Sequence, residues 1–121
     1  TWNNSGIIGG GGGAGQTKTS PLGDAPGWGG GGAGSAPGLG GGAGQYSTRS
    51  NDGSLLVGGT GGSFKYAWMS SANVGAKGGD LGQAGGTSSG FLTFPGAAGA
   101  AIVGNSFITW TNMGDVRGAV S

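Results

Sequence analysis

Glycine supplies 36 of the 121 residues, and in several runs it recurs at every third position. Gly6, Gly9, Gly12 and Gly15 keep one phase, Gly38, Gly41 and Gly44 another, and Gly79, Gly82 and Gly85 a third. Glycine loses more freedom on folding than any other residue and brings no side chain to a core. A chain that keeps so many must use them for what only glycine permits, the close approach of one backbone to another. A period of three matches the polyproline II helix, which has three residues per turn and no internal hydrogen bonds. Its peptide groups point outward and must be satisfied by neighbouring segments or by water. The pattern predicts a bundle of glycine helices bonded side to side.

Two other readings of the same composition fail. Collagen needs an unbroken Gly-X-Y register and abundant proline, whereas the register here breaks repeatedly and only Pro21, Pro26, Pro37 and Pro95 occur. Disorder is what abundant Gly and few aliphatics suggest at first. Against it stand aromatic tracts such as Phe64-Lys65-Tyr66-Ala67-Trp68-Met69, shifts of glycine phase between runs, and aliphatic pairs at run ends.

The length fits one domain, 1–121. Six rods are expected, at 6–15, 27–34, 38–44, 58–62, 75–86 and 96–104, the long fifth one bending where its phase changes at Gly78-Gly79. A ten-residue rod spans roughly 30 Å. Residues 6–104 thus hold the rods and their loops, while 1–5 and 105–121 form a base. The ends Thr1-Trp2-Asn3-Asn4 and Phe107-Ile108-Thr109-Trp110-Thr111 have extended character, which predicts that they pair, with Trp2 and Trp110 covering the base. The fold class is therefore irregular, with little α or β: a polyglycine II helix sandwich plus a short extended or β segment at the termini. Gly41→Ala is expected to push a methyl between touching backbones, with Trp28 and Leu39 packing outside the rods. The chain opens without methionine or a signal sequence, as a fragment or processed product would.

Few chemistries are open to this composition. Charged residues are 7% and the net charge is +1, without the basic stripe that nucleic acid requires. No run approaches the roughly 18 apolar residues of a membrane span, so no membrane insertion is expected. Histidine and cysteine are absent, which removes the commonest nucleophile activators and metal ligands. Asp24, Asp52, Asp80 and Asp115 lie in separate segments without paired spacing and read as turn or surface residues. The G-x-G-x-x-G at Gly10, Gly12 and Gly15 follows no strand, and no G-K-[ST] follows any glycine loop. No enzyme activity, cofactor or metal is expected.

Two strings are more specific than the glycine runs: Gly78-Gly79-Asp80-Leu81-Gly82-Gln83-Ala84-Gly85 and Gly96-Ala97-Ala98-Gly99-Ala100-Ala101-Ile102-Val103-Gly104-Asn105. With Gly6-Ile7-Ile8 and the ending Ile108-Thr109-Trp110-Thr111-Asn112-Met113-Gly114, they resemble the glycine-rich distal tail-fibre adhesins of T-even-like phages that infect enterobacteria. The resemblance covers most of the chain. It implies a polyglycine II sandwich at the distal tip of a tail fibre, extracellular on the virion. Variable loops there would bind an outer-membrane protein or lipopolysaccharide, and the rest of the tail fibre would be the second partner. The family's N-terminal attachment domain is not expected in these residues, which points to the tip of a fibre subunit itself, as a homotrimer, rather than a separate capping protein.

The segments in the variable-loop positions are 45–56, 63–74 and 87–94. Tyr46, Phe64, Tyr66, Trp68, Phe91 and Phe94 are the candidate receptor anchors, since aromatic residues concentrate at interface centres; the competing role is as lids that replace a missing core. Phe64, Tyr66 and Trp68 alternate with Lys65 and Ala67 and share a face if extended. Lys65, Arg49, Asn51 and Asp52 are the polar candidates, with an ordinary turn at Asn51-Asp52-Gly53 as the competing reading of the last two. Two other classes stay open: an ice-binding polyglycine II protein, which needs a flat face of short repeated residues, and a purely structural glycine-rich fibre segment.

Overall fold

A computed structural model describes residues 1–15, 27–41, 46–88 and 94–121. Regular elements within them are few and short: β1 (Trp2–Asn3), β2 (Ile7–Gly9), β3 (Ser63–Phe64), β4 (Asn73–Val74), a 3-10 turn (Asn105–Phe107), β5 (Trp110–Asn112) and β6 (Asp115–Arg117). Most of the order lies in backbone hydrogen bonds between segments that belong to none of them.

Segment 27–34 lies at the centre, bonded to five other described segments. Gly12 and Gly15 donate to the carbonyls of Ala33 and Gly30 (2.8 and 2.9 Å), and Gly59 and Gly62 donate to Gly31 and Trp28 (both 2.8 Å). Gly30 and Ala33 donate to Ala76 and Gly79 (2.9 and 3.0 Å), Gly31 and Gly34 to Asn51 and Ser54 (3.1 and 3.0 Å). Gly38 closes the ring by donating to Gly32 (2.9 Å). Successive bonds to one neighbour step by three residues. The partner number falls against 6–15 and 58–62, which run antiparallel to the centre, and rises against 48–54 and 75–79, which run parallel. Outer contacts keep the same step: Gly75 and Gly78 donate to Gly62 and Gly59, and Gly96 and Gly99 donate to Ala14 and Gly11.

Glycine is required at the centre because the contacts are backbone on backbone. A Cβ at Gly30, Gly31 or Gly32 would fall on the carbonyl of Gly59, Gly38 or Gly12 respectively. Among the described residues the buried hydrophobics are Ala33, Phe64 and Ile102 alone. Ser50, only 1% exposed, is the largest fully buried side chain, and its hydroxyl donates to the Gly29 carbonyl (2.8 Å).

Several expectations need correction. Segment 48–54, read as loop, is a strut laid along the centre and bonded on its other side by Asn51 to Thr60 and Thr48 to Ser63. It holds one glycine, yet Ser50 and Gly53 face inward three residues apart, and small size at that phase is all the packing demands. Segment 75–86 is not one rod but two arms. They reverse at Asp80–Gln83, where Gln83 donates to the Asp80 carbonyl (2.9 Å) and Gly82 takes φ 77, the third-position glycine of a type II turn. The bend thus falls after the phase change at Gly78-Gly79. A Cβ on Gly41 would meet the Trp28 side chain, 2.5 Å from its Cβ, and not a backbone. Leu39 is mostly exposed.

Both chain ends lie at one end of the bundle. β1 runs parallel to β5 with Trp2 opposite Trp110, and β2 runs parallel to β6 with Ile7, Ile8 and Gly9 opposite Asp115, Val116 and Arg117. The two termini therefore do meet, their tryptophan rings edge-on at 6.1 Å, though Trp2 stays mostly exposed and Phe107, expected to be extended, ends the 3-10 turn before β5. The register places connectors 35–37, 55–57 and 81–82 at this same base. The opposite end carries 63–74 and the residues that flank 16–26, 42–45 and 89–93.

Two ion pairs bind segments sideways. Arg49 meets Asp52 at 2.9 Å and Lys77 meets Asp80 at 2.6 Å, both at i,i+3 spacing. In each, the same aspartate oxygen also accepts a backbone N–H from the next segment, Gly40 for Asp52 (2.8 Å) and Gly58 for Asp80 (2.9 Å).

Gly31→Ala should lower stability by about 1–3 kcal/mol by overpacking. Gly11→Ala, whose methyl would sit 3.7 Å from the Ala33 oxygen, should leave it within about 0.5 kcal/mol; thermal denaturation of the two variants distinguishes them. The hydrogen bond from Lys77, then that from Gly58, holds the Asp80 carboxyl below its usual pKa. A lowered folded-state pKa contributes stability above the unfolded value of about 3.9 and loses it as pH falls through the folded one. The gap in melting temperature between wild type and Asp80→Asn should therefore stay constant down to about pH 4 and close below it.

Candidate functional site

The described part of the end opposite the termini is built on a small antiparallel patch. β3 pairs with β4, Ser63 opposite Val74 and Phe64 opposite Asn73, and on its other side Phe64 bridges to Ser47. Thr48 donates to the Ser63 carbonyl (2.7 Å) and Lys65 to the Tyr46 carbonyl (3.1 Å). The Thr48 hydroxyl accepts the Ser63 N–H (2.8 Å) and lies 3.0 Å from the Ser63 hydroxyl. Beyond β3 the chain turns: Met69 donates to the Tyr66 carbonyl (3.1 Å), while the Tyr66 N–H donates to the Met69 sulfur at 3.3 Å.

This geometry lines up four rings. Phe64 meets Tyr66 edge-on at 4.6 Å, Tyr66 stacks on Trp68 at 5.5 Å with 15° between planes, and Tyr46 leans on Tyr66 at 5.3 Å. The three aromatics of Phe64-Lys65-Tyr66-Ala67-Trp68 do form one row, although the chain is not extended throughout and Trp68 joins it from within the 66–69 turn. The row runs from depth to surface, because Phe64 is 7% exposed, Tyr66 half-buried and Trp68 73% exposed. Phe64 is therefore an anchor into the scaffold, unable to meet a receptor directly. Tyr46, 52% exposed, completes the platform.

The remaining candidates divide. Phe94, 90% exposed, sits two residues before Gly96, whose bond to Ala14 places it at the same end; its ring touches none of the four. Phe91 lies outside the described residues. Arg49, Asn51 and Asp52 belong to the 48–54 strut and lead away from the platform along the side of the bundle. Asn51 commits its N–H to Thr60 and its carbonyl to Gly31, so no free turn exists at Asn51-Asp52-Gly53. Thr48, Ser63 and Met69 were not anticipated: their roles depend on cross-strand register and on the 66–69 turn, neither of which the alternation reveals.

The electrostatics are simple. Each described aspartate is paired: Asp52 with Arg49, Asp80 with Lys77, and Asp115 with Arg117 at 2.8 Å. Lys65 is exposed and has no ion-pair partner among the described residues. No group of three or more His, Cys, Asp or Glu that could hold a metal occurs among them either.

A bundle whose interior is backbone, with short connectors and both termini at one end and an exposed aromatic platform at the other, has the build of a binding module. The chain belongs to the phage tail fibre adhesin Gp38 family, whose model matches residues 1–121. No curated protein and no solved structure matches it. Membership makes it a bacteriophage tail component that takes part in host recognition, with a host receptor and the rest of the tail as its partners.

Phe64→Ala should cost about 3–5 kcal/mol, as truncation of a buried Phe does. Trp68→Ala should stay within about 0.5 kcal/mol of wild type, as surface substitutions do. Chemical denaturation of both variants checks the division between anchor and platform.

Proposed function

We propose that this adhesin caps the distal tip of a tail fibre and recognises an outer-surface receptor of the bacterium, an outer-membrane protein or lipopolysaccharide, without chemistry of its own. One observation carries the reading: the hydrogen-bond register puts the aromatic connector 63–74, Tyr46 and Phe94 at the end farthest from both termini. A fibre continuing from the termini would hold that end outermost. We also take the bonded segments to be polyglycine II helices in a sandwich. The three-residue step of their hydrogen bonds supports this, because polyproline-type helices have three residues per turn and a β ladder repeats every two.

In this reading Tyr46, Tyr66 and Trp68 meet the receptor, joined by Lys65 and Phe94, while Phe64 holds them in place. Arg49, Asn51 and Asp52 stiffen the bundle's side. The protein fused to a fluorescent reporter should label enterobacterial cells strain by strain, and deleting or truncating a single surface receptor should abolish labelling. Trp68→Ala should weaken labelling at unchanged thermal stability. Labelling of no strain in a broad panel would count decisively against the reading.

A further inference from the structure

We infer that a glycine-rich segment of another polypeptide docks in the groove between segments 6–15 and 38–41, adding one more rod to the bundle. The inference rests on the polyglycine II reading above. Rods of equal width pack six around one, and the centre has five neighbours. Hydrogen bonds link these five in order. Gly79 donates to Gly13 (2.7 Å), Gly78 to Gly59 (2.9 Å), Asn51 to Thr60 (2.9 Å) and Gly53 to Gly38 (2.9 Å). The order around the centre is thus 6–15, 75–79, 58–62, 48–54 and 38–41. Among the described residues no bond joins 38–41 back to 6–15. In that place lies a groove of about 500 Å³, with Gly12 and Ala14 on one side, Gly32 and Ala33 along it, and Ala36 and Gly38 on the other.

Unpaired peptide groups aim into this vacant place. In a helix with three residues per turn, the N–H groups fall in three directions a third of a turn apart. Gly30 and Ala33 donate to 75–79, and Gly31 and Gly34 to 48–54. The third direction, that of Gly32, points midway between 38–41 and 6–15. Gly32 is buried, yet its N–H has no partner among the described residues. The carbonyls of 6–15 divide in the same way. Those of Gly10 and Gly13 accept from Gly82 and Gly79, and those of Gly11 and Ala14 from Gly99 and Gly96. The Gly12 carbonyl is left for the groove, and nothing among the described residues donates to it.

A donor and an acceptor on adjoining walls specify a guest that answers both with its own backbone. Segments that accept from the centre run parallel to it, so the guest runs parallel to 27–34 and antiparallel to 6–15. Apart from Ile7, Leu55 and Leu81, nothing larger than alanine or serine lines the groove. Its walls therefore admit a backbone at contact distance, provided that the guest has glycine at every third position. This is the rod counterpart of adding a strand to a sheet edge, where main-chain bonds supply the affinity.

The test is a titration of the isotopically labelled 121-residue chain with a Gly-Gly-Ser repeat peptide, followed through the amide resonances of the protein. The Gly32 amide proton should move downfield as it gains a partner, with the other shifts confined to the groove. An Ala-Ala-Ser repeat peptide of the same length should bind about tenfold more weakly or worse, the worth of one net hydrogen bond. Two variants fill the groove from its wall. A Cβ on Gly11 meets only the Ala33 oxygen, at 3.7 Å, and Ala14 is exposed. Gly11→Val and Ala14→Leu should each weaken binding by at least about tenfold, with melting temperatures unchanged. Equal binding of the two peptides, equal binding by both variants, or shifts centred on 63–74 overturns the inference. So does dimerisation of the wild type that Gly11→Val abolishes, which gives the groove to a second copy. No binding, with Gly31→Ala still lowering the melting temperature, overturns the docking and leaves the rod reading standing. A Gly31→Ala variant as stable as wild type removes both.

Discussion

Everything in this structure depends on peptide groups bonding across a distance that no side chain interrupts. Segment 27–34 sends N–H and carbonyl groups in several directions, and each neighbour answers with its own backbone. A buried peptide group without a partner costs about as much as a lost hydrogen bond, so the five neighbours must all be present for the centre to be satisfied. Among the described residues the usual source of cooperativity, a shared apolar core, is nearly absent, with only Ala33, Phe64 and Ile102 as buried hydrophobics. Cooperativity comes instead from the fact that most segments are donor to one neighbour and acceptor to another.

The same three-residue geometry explains the charges. Arg49 and Asp52, or Lys77 and Asp80, lie three apart, the same step by which the hydrogen bonds to one neighbour recur. In each aspartate the oxygen that meets the cation also accepts a glycine N–H from the adjoining segment. Exposed ion pairs contribute little as such. Their worth here lies in presenting a carboxylate to a backbone donor, which satisfies a group that the glycine lattice leaves over at its edge.

Much of this was legible in the sequence, through glycine phase. The segment at 27–34 was marked by glycine phase, the meeting of Trp2 and Trp110 by the extended composition of both termini, and the shared side of the aromatics by their alternation; which segment lies at the centre, and which neighbours run parallel to it, was not. The 48–54 strut was hidden because the period was sought in glycine, while the packing asks only for a small residue facing inward; Ser47, Ser50 and Gly53 keep that period without drawing notice. The reversal at Asp80-Leu81-Gly82-Gln83 was masked by the same glycine abundance, which made a turn look like a continuing rod. Depth was not legible at all. Alternation says that Phe64, Tyr66 and Trp68 share a side, but only the bridge to Ser47 and the pairing with Asn73 decide that Phe64 is the one inside.

That gradient of depth links the scaffold to recognition. Immobilising a flexible side chain at an interface costs about 0.5–1.5 kcal/mol, and several floppy aromatics would spend most of what their burial returns. Here Phe64 is fixed by the sheet, Tyr66 by Phe64 and by its N–H on the Met69 sulfur, and Trp68 by its stack on Tyr66. The exposed indole therefore inherits the rigidity of a backbone lattice several residues away. Because that lattice is held by peptide groups, the side chains of the connectors are left largely out of its stability. In the proposed receptor-binding role, Trp68 could be exchanged without loss of stability while its replacement is still held by the same scaffold, two demands that a conventional apolar core would make compete.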